Sequence, residues 1–235
     1  MKRAAMMKIQ ADGENGKPAV RVGTAPPPAH ETVYRQLRES ILFGELAPGQ
    51  PVTIQGIADM LGAGMTPVRE AIRRLTAEGA LEFQGNRRVC VPQLTAGNVS
   101  ELIFARQSIE PQLAMRATER ATDPDLLRLD EIDARLDTAI VNGDVRSYLE
   151  LNYRFHTELY SLADAPILTA MAEGLWLRFG PSLRVVCGRL GTQNLPDQHK
   201  EALHAMRARD ADAAANAMRE DVIQGMQQVR RAIAE

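Results

Sequence analysis

The sequence predicts a mainly α protein in two unequal parts: three short helices with a β-hairpin, then an all-α antiparallel bundle. Three observations predict it. Apolar residues recur at helical spacing through most of the chain. Alternating apolar and polar residues occur only near 81–84 and 88–91. Helix breakers leave three short helical stretches before that point and six long ones after it.

Residues 1–28 are rich in Lys, Gly, Ala and Pro and end in Ala25-Pro26-Pro27-Pro28. They are expected to form a flexible arm with a stiff end. The second segment, 29–92, begins with a helix over about 31–43, where Val33, Leu37 and Ile41 stand four apart. Gly44 and Pro48-Gly49 stop it. A second helix over 54–61 carries Ile54, Ile57, Ala58 and Leu61 on one face. The third is expected to start with Thr66 as N-cap and Pro67 at its first position. Val68, Ile72 and Leu75 form its apolar stripe, and Gly79 ends it. A hairpin turning at Gly85-Asn86-Arg87 and a closing Pro92 complete the unit.

The third segment, 93–235, shows no strand pattern. Helices are expected near 96–121, 124–142, 145–163, 166–190, 196–209 and 211–233. Pro111 and Pro181 would kink their helices, and Pro181 could split its own. Six antiparallel helices of this length make a bundle.

Composition narrows the function. The 235 residues carry 45% hydrophobic and 25% charged side chains, which rules out wholesale disorder. Aromatics are 4%, too few for a single-strand stacking platform. Two cysteines, Cys90 and Cys187, build no disulfide framework and point to a reducing, cytoplasmic setting. No apolar run suits a membrane span, and the N-terminus lacks the apolar core of a secretory signal. The net charge of −2 hides an asymmetry. Residues 1–94 hold 12 basic and 9 acidic side chains, whereas the remainder hold 16 and 21. Within 29–92 the count is balanced, so any nucleic-acid contact must come from local placement.

Three short helices and a hairpin in so few residues describe a winged helix-turn-helix, whose third helix enters the major groove of double-stranded DNA. Thr66, Arg69 and Arg73 lie opposite the apolar stripe, with Arg74 beside them. An arginine fork matches guanine O6/N7 or two phosphate oxygens. Arg87 and Arg88 fall at the wing tip, while Arg35 and Arg38 on the first helix are placed for phosphate. Gln55, Gly64 and Met65 complete the expected DNA-facing set. From spacing alone, the same arginines could equally form a solvated face paired with Glu70 and Glu78.

The run Tyr34-Arg35-Gln36-Leu37-Arg38, Leu46-Ala47-Pro48-Gly49, Ile57-Ala58-Asp59-Met60-Leu61-Gly62, Thr66-Pro67-Val68-Arg69-Glu70-Ala71 and Asn86-Arg87-Arg88 resembles the N-terminal domain of the GntR family of bacterial transcription regulators. The remainder resembles the FCD effector domain of the FadR subfamily, in its six-helix, VanR-like size. The marks there are Arg106-x-x-x-Glu110-Pro111, Asn152-x-x-Phe155-His156 and His199-x-x-x-Leu203. Two departures stand out. Gly64 and Met65 replace a hydroxyl residue and an arginine ahead of the Thr-Pro pair, removing one phosphate and one base contact. Arg88 replaces a glycine in the wing, making its tip more cationic.

Several polar groups lie on apolar helix faces: Arg106 with Glu110, Asn152 with His156, then His199 and Asp221. Buried charges need partners, so a polar internal site is expected. The resemblance implies a divalent metal, and here Asn152, His156, His199 and Asp221 occupy the matching positions. That set differs from the family's Asp and three His, yet two imidazoles, a carboxylate and an amide oxygen suit zinc or nickel. The metal-free alternative is a hydrogen-bonded cluster, with His199 on Asp221 and His156 on Asn152. Arg106 is the candidate for holding a small carboxylic acid, with Arg178 as a weaker one. Its alternative is an internal ion pair with Glu110. Trp176, Phe155 and Met171 are expected in the core; His30 and His204 face solvent.

The expected function is therefore a homodimeric regulator, not an enzyme. It would be a repressor on family grounds, released from a palindromic operator by a small acid. The rivals are a metal-assisted hydrolase using His156, His199 and Asp221, and a ligand-free helical scaffold.

Overall fold

The computed structural model describes residues 28–85, 87–190 and 198–234. The arm expected at 1–28 lies outside these apart from Pro28, as does the hairpin residue Asn86. Three helices, α1 (Ala29–Leu42), α2 (Ile54–Leu61) and α3 (Met65–Ala77), pack around Leu37, Ile57, Ile72 and Leu75, none of which reaches solvent. Thr53 caps α2 by accepting from the Gly56 amide, and Gly62 ends it in the left-handed region at φ 58.

Two details differ from the sequence-based reading. Gly64, not Thr66, is the N-cap of α3, so Pro67 falls inside the first turn. It is tolerated there because the first amides of a helix have no partner to lose. The sheet also has a third strand. β1 (Val52–Thr53) pairs with β3 (Arg88–Cys90), and β2 (Glu82–Phe83) pairs with the other side of β3. Two residues are too short to leave an alternating signature, so β1 could not be seen in advance.

The bundle contains α4 (Ala96–Arg120), α5 (Asp123–Asn142), α6 (Val145–Ser161), α7 (Pro166–Leu190), α8 (His199–Arg207) and α9 (Ala211–Ala234). These fall close to the expected six. The helices α4 and α7 each run on through their internal prolines, Pro111 and Pro181. Thr95 caps α4 in a reciprocal box with Asn98, and Asp144 caps α6 through the Ser147 amide. Both cysteines are buried thiols, and burial pushes Cys187 up to about 11. Met171 departs from expectation: it is 52% exposed rather than core. Among the described residues no helix is long and apolar enough to cross a membrane.

The buried apolar side chains of the winged unit and the bundle form one continuous cluster. The seam runs along α7. Gly180 lets the backbone of Leu42 approach so closely that an added Cβ would stand 2.9 Å from the Leu42 carbonyl oxygen. Arg184 lies equally close over Gly44. Arg38 of α1 donates to the Tyr153 hydroxyl at 3.3 Å and faces Glu173 at 3.8 Å. Because a backbone oxygen cannot rotate away, Gly180→Ala should loosen this docking, at a cost of ~1–3 kcal/mol. Urea unfolding monitored by circular dichroism checks this; an unchanged midpoint would show that the seam yields without cost.

Candidate metal centre and DNA-reading face

The third helix carries its apolar stripe inward, and this decides what faces out. Val68, Ala71, Ile72 and Leu75 are buried, whereas Thr66, Arg69 and Arg73 are exposed. Arg73 makes a surface ion pair with Glu70 at 3.2 Å, a weak and exchangeable contact. Arg87 and Arg88 are exposed on the wing, and Arg35 is exposed on α1. Other members of the expected set are engaged. Arg74 sits 3.5 Å over the Tyr34 ring and pairs with Glu31 and Glu78. Arg38 is turned into the seam with the bundle, and the Gln55 amide donates to Asp59 at 2.8 Å. Gly64 is exposed at the start of α3 and Met65 is half-buried.

Inside the bundle, α6 supplies His156, α8 His199 and α9 Asp221. Both histidines are almost inaccessible, at 1% and 4% exposure. Their Nε2 atoms stand 3.4 Å apart. Asp221 faces both: Oδ2 lies 3.2 Å from His156 Nε2 and Oδ1 lies 3.8 Å from His199 Nε2.

The surrounding hydrogen bonds fix where the protons are. Arg106, 3% exposed, holds Glu110 through two nitrogens, at 2.5 and 3.1 Å. Burial alone would lower the guanidinium pKa, but Glu110 outweighs it and holds Arg106 above its ordinary value. Glu110 thus accepts on both oxygens, and the Tyr160 hydroxyl donates its only proton to it at 2.7 Å. The Tyr160 oxygen then accepts from the Trp176 indole N–H at 3.2 Å and from His156 Nδ1 at 3.1 Å. His156 therefore carries its proton on Nδ1. On the far side, His199 Nδ1 lies 3.4 Å from the buried carboxylate of Asp133, which also only accepts. Burial would raise Asp133, but His199 and Lys200 hold it below its ordinary value.

The Nε2 lone pair of His156, the Nε2 atom of His199 and a carboxylate consequently converge on one small space. Such a group could hold a cation. A proton on His156 is disfavoured, because burial pushes its pKa down against the pull of Asp221. Burial also works to raise Asp221, yet His156, His199 and Arg106 hold it down at about 2, so it stays ionised. The three donors reach within 4.8 Å of one another and are a nitrogen and oxygen set that fits zinc or nickel. The adjoining cavity, of about 40 Å3, is walled by Arg106, Asn152, Trp176, Phe179 and Gln228.

The structure thus brings together Arg106, Glu110, Asn152, His156, His199 and Asp221. It leaves out Arg178, which is exposed at the seam. The hydrogen-bond pairing differs from the metal-free alternative: Asp221 is nearer His156 than His199, and the partner of His156 Nδ1 is Tyr160. The sequence reading missed Tyr160 and Asp133. Tyr160 stands four residues after His156 on the same helix face, and Asp133 interrupts the buried stripe of α5. Both signals were present. Trp176 and Phe155 are core, as expected, but functional core: Phe155 stacks on His199 at 3.9 Å.

The geometry meets the known proteins here. Residues 29–91 match the model described as bacterial regulatory proteins, gntR family, and residues 101–223 match the FCD domain. The chain belongs to the GntR family of transcription regulators, with an FCD domain. It is 30% identical to the HTH-type transcriptional regulator McbR of Escherichia coli K12 over 192 residues, which is 80% of this chain and 86% of that one. It is 26% identical to the HTH-type transcriptional repressor RspR of the same organism over 208 residues, 87% and 91% of the two chains. The solved structure of E. coli McbR/YncC superposes with a TM-score of 0.82 at 27% identity, covering 87% of this chain and 98% of that one. This GntR-family chain is a DNA-binding transcription regulator, and the matched domains and relatives are regulators rather than enzymes.

Tyr160→Phe removes the oxygen that accepts from His156 Nδ1–H while keeping the ring. Nitrogen NMR of the imidazoles should show His156 protonated at Nδ1 in the parent protein and no longer fixed there in the variant. A parent whose neutral His156 carries its proton on Nε2 would overturn the proton assignment.

Proposed function

We propose that this regulator is a homodimeric, ligand-responsive repressor that acts in the cytoplasm on a near-palindromic operator. Its FCD bundle holds one divalent metal, zinc or nickel. His156, His199 and Asp221 would hold the metal, with the Asn152 amide as an oxygen donor at the same cavity. A bound metal would supply a Lewis-acidic centre for an oxygen of the effector. The effector we assign is a small carboxylic acid, recognised by Arg106.

The observation that carries this reading is the double duty of α7. Trp176, Phe179 and Leu183 wall the donor site, while Gly180 and Arg184 press on Leu42 and Gly44 of the winged unit. A change at the donor site is therefore one helix away from the DNA-reading unit. Arg106 cannot shed its charge, so it needs an anion at all times. Glu110 serves in this conformation, and an effector carboxylate would join or replace it. The cavity of about 40 Å3 is too small for an organic acid, so binding must part the helices. That displacement is the lever: the acid binds only the parted state and shifts the population toward it.

Two-fold symmetry favours the operator form. Paired half-sites about one helical turn apart match two copies of α3. The hydrolase reading loses its support, because the relatives are regulators and both histidines are buried.

The test is DNA binding. Arg69→Ala and Arg73→Ala should each weaken operator affinity by ~1–3 kcal/mol if they read base edges. Fluorescence anisotropy on the operator measures it. If the double variant binds its operator as the parent does, α3 is not the reading helix.

A further inference from the structure

A second cavity opens at the seam, with a volume of about 750 Å3. The donor-site cavity holds only about 40 Å3. Small-molecule sites run from roughly 300 to 1,000 Å3, so the seam cavity has the room that the bundle site lacks. Its walls come from both units: Tyr34 and Gly79 from the DNA-reading part, Leu102 and Ile109 from α4, and Leu177 and Arg178 from α7.

The charges around it are unevenly committed. Glu78 accepts from the Tyr34 hydroxyl at 2.9 Å and pairs with Arg74 at 3.3 Å. Glu173 faces Arg38 at 3.8 Å. Arg178 is different. Its guanidinium packs close over Gly79, where an added Cβ would stand 2.6 Å from Nη2. Among the described residues no ion pair engages it, in contrast to Arg38, Arg74 and Arg106. An exposed arginine at the edge of an apolar-walled cavity suits one carboxylate on an apolar body. Glu101, exposed on the rim from α4, opposes a second negative charge.

We infer that the seam cavity is a second ligand site, for an amphipathic monocarboxylic acid whose carboxylate meets Arg178 and whose apolar body lies on Leu102, Ile109 and Leu177. It is separate from the bundle site. Because its walls belong to both units, an occupant bridges them directly and fixes the placement of the DNA-reading unit on the bundle without passing through the donor site.

Octanoate is the probe, titrated by calorimetry into the full-length protein, with 1-octanol as its neutral counterpart. The parent should bind one octanoate per chain, and 1-octanol at least tenfold more weakly. Arg178→Gln should lower octanoate affinity tenfold or more. Gly174 of α7 lines the cavity and an added Cβ there meets nothing within 4 Å, so Gly174→Leu fits the helix and fills the space. It should abolish binding, with the mass by light scattering unchanged. No saturable binding to the parent, or equal affinity in Arg178→Gln, overturns the proposal. So does unchanged octanoate affinity in Gly174→Leu, which would seat the acid outside the seam cavity. A change of mass in Gly174→Leu would overturn it too, by showing that a second copy of the chain covers this face.

Discussion

Two imidazole nitrogens held 3.4 Å apart in front of one carboxylate, inside an apolar bundle, set the terms for the rest of the molecule. Bare lone pairs at that distance repel, and burial removes the water that would soften the repulsion. The arrangement persists because each histidine is anchored from behind. Asp133 stands behind His199, and Tyr160, Glu110 and Arg106 stand in series behind His156. These outer groups turn the Nε2 atoms inward, and burial, not the carboxylates, pushes the His156 pKa down. They also explain a buried Arg–Glu pair that would otherwise be hard to justify, since such a pair gains little over apolar packing. Glu110 is the acceptor that decides the Tyr160 proton, and Arg106 holds Glu110 in place through two nitrogens.

The same groups lead outward. The Trp176 ring lies 4.8 Å from His156 and 5.4 Å from Tyr153, and Tyr153 meets Phe43 edge-on at 6.0 Å. Tyr153 also accepts from Arg38 of α1. A continuous aromatic path therefore joins the donor site to the end of the first DNA-domain helix. Packed rings of this kind move between discrete arrangements rather than deform smoothly, which is what a switch requires. Arg38, expected on phosphate, is better understood as part of this seam.

Much of this was legible in the sequence. The six bundle helices were marked by breakers such as Gly143, Pro166 and Asp210, and long amphipathic helices leave strong periodic signals. The donor residues showed as polar groups on apolar faces, and His156 and His199 sat within family marks. The rest was hidden for physical reasons. The strand at Val52–Thr53 is too short to alternate. The cap of α3 at Gly64 has no side chain to announce it. Arg178 and Arg106 look alike in sequence, since both lie on long helices among apolar residues. Only the packing of α1 and of the turn after α3 against α7 separates an arginine at the seam from one in the bundle. Met171 carries the same ambiguity: its helix has two buried faces and one open one.

X-ray absorption at the metal edge, on protein purified without chelator or histidine tag, tests the central claim most directly. The account predicts one zinc or nickel per chain, with imidazole scattering from two histidines and a first shell of nitrogen and oxygen near ~2.0–2.2 Å. His156→Ala and His199→Ala should each empty the site. A protein that carries no stoichiometric metal even after zinc is supplied, or one whose metal is bound by sulfur, would contradict it. The converging nitrogens and Asp221 would then be held by a shared proton instead.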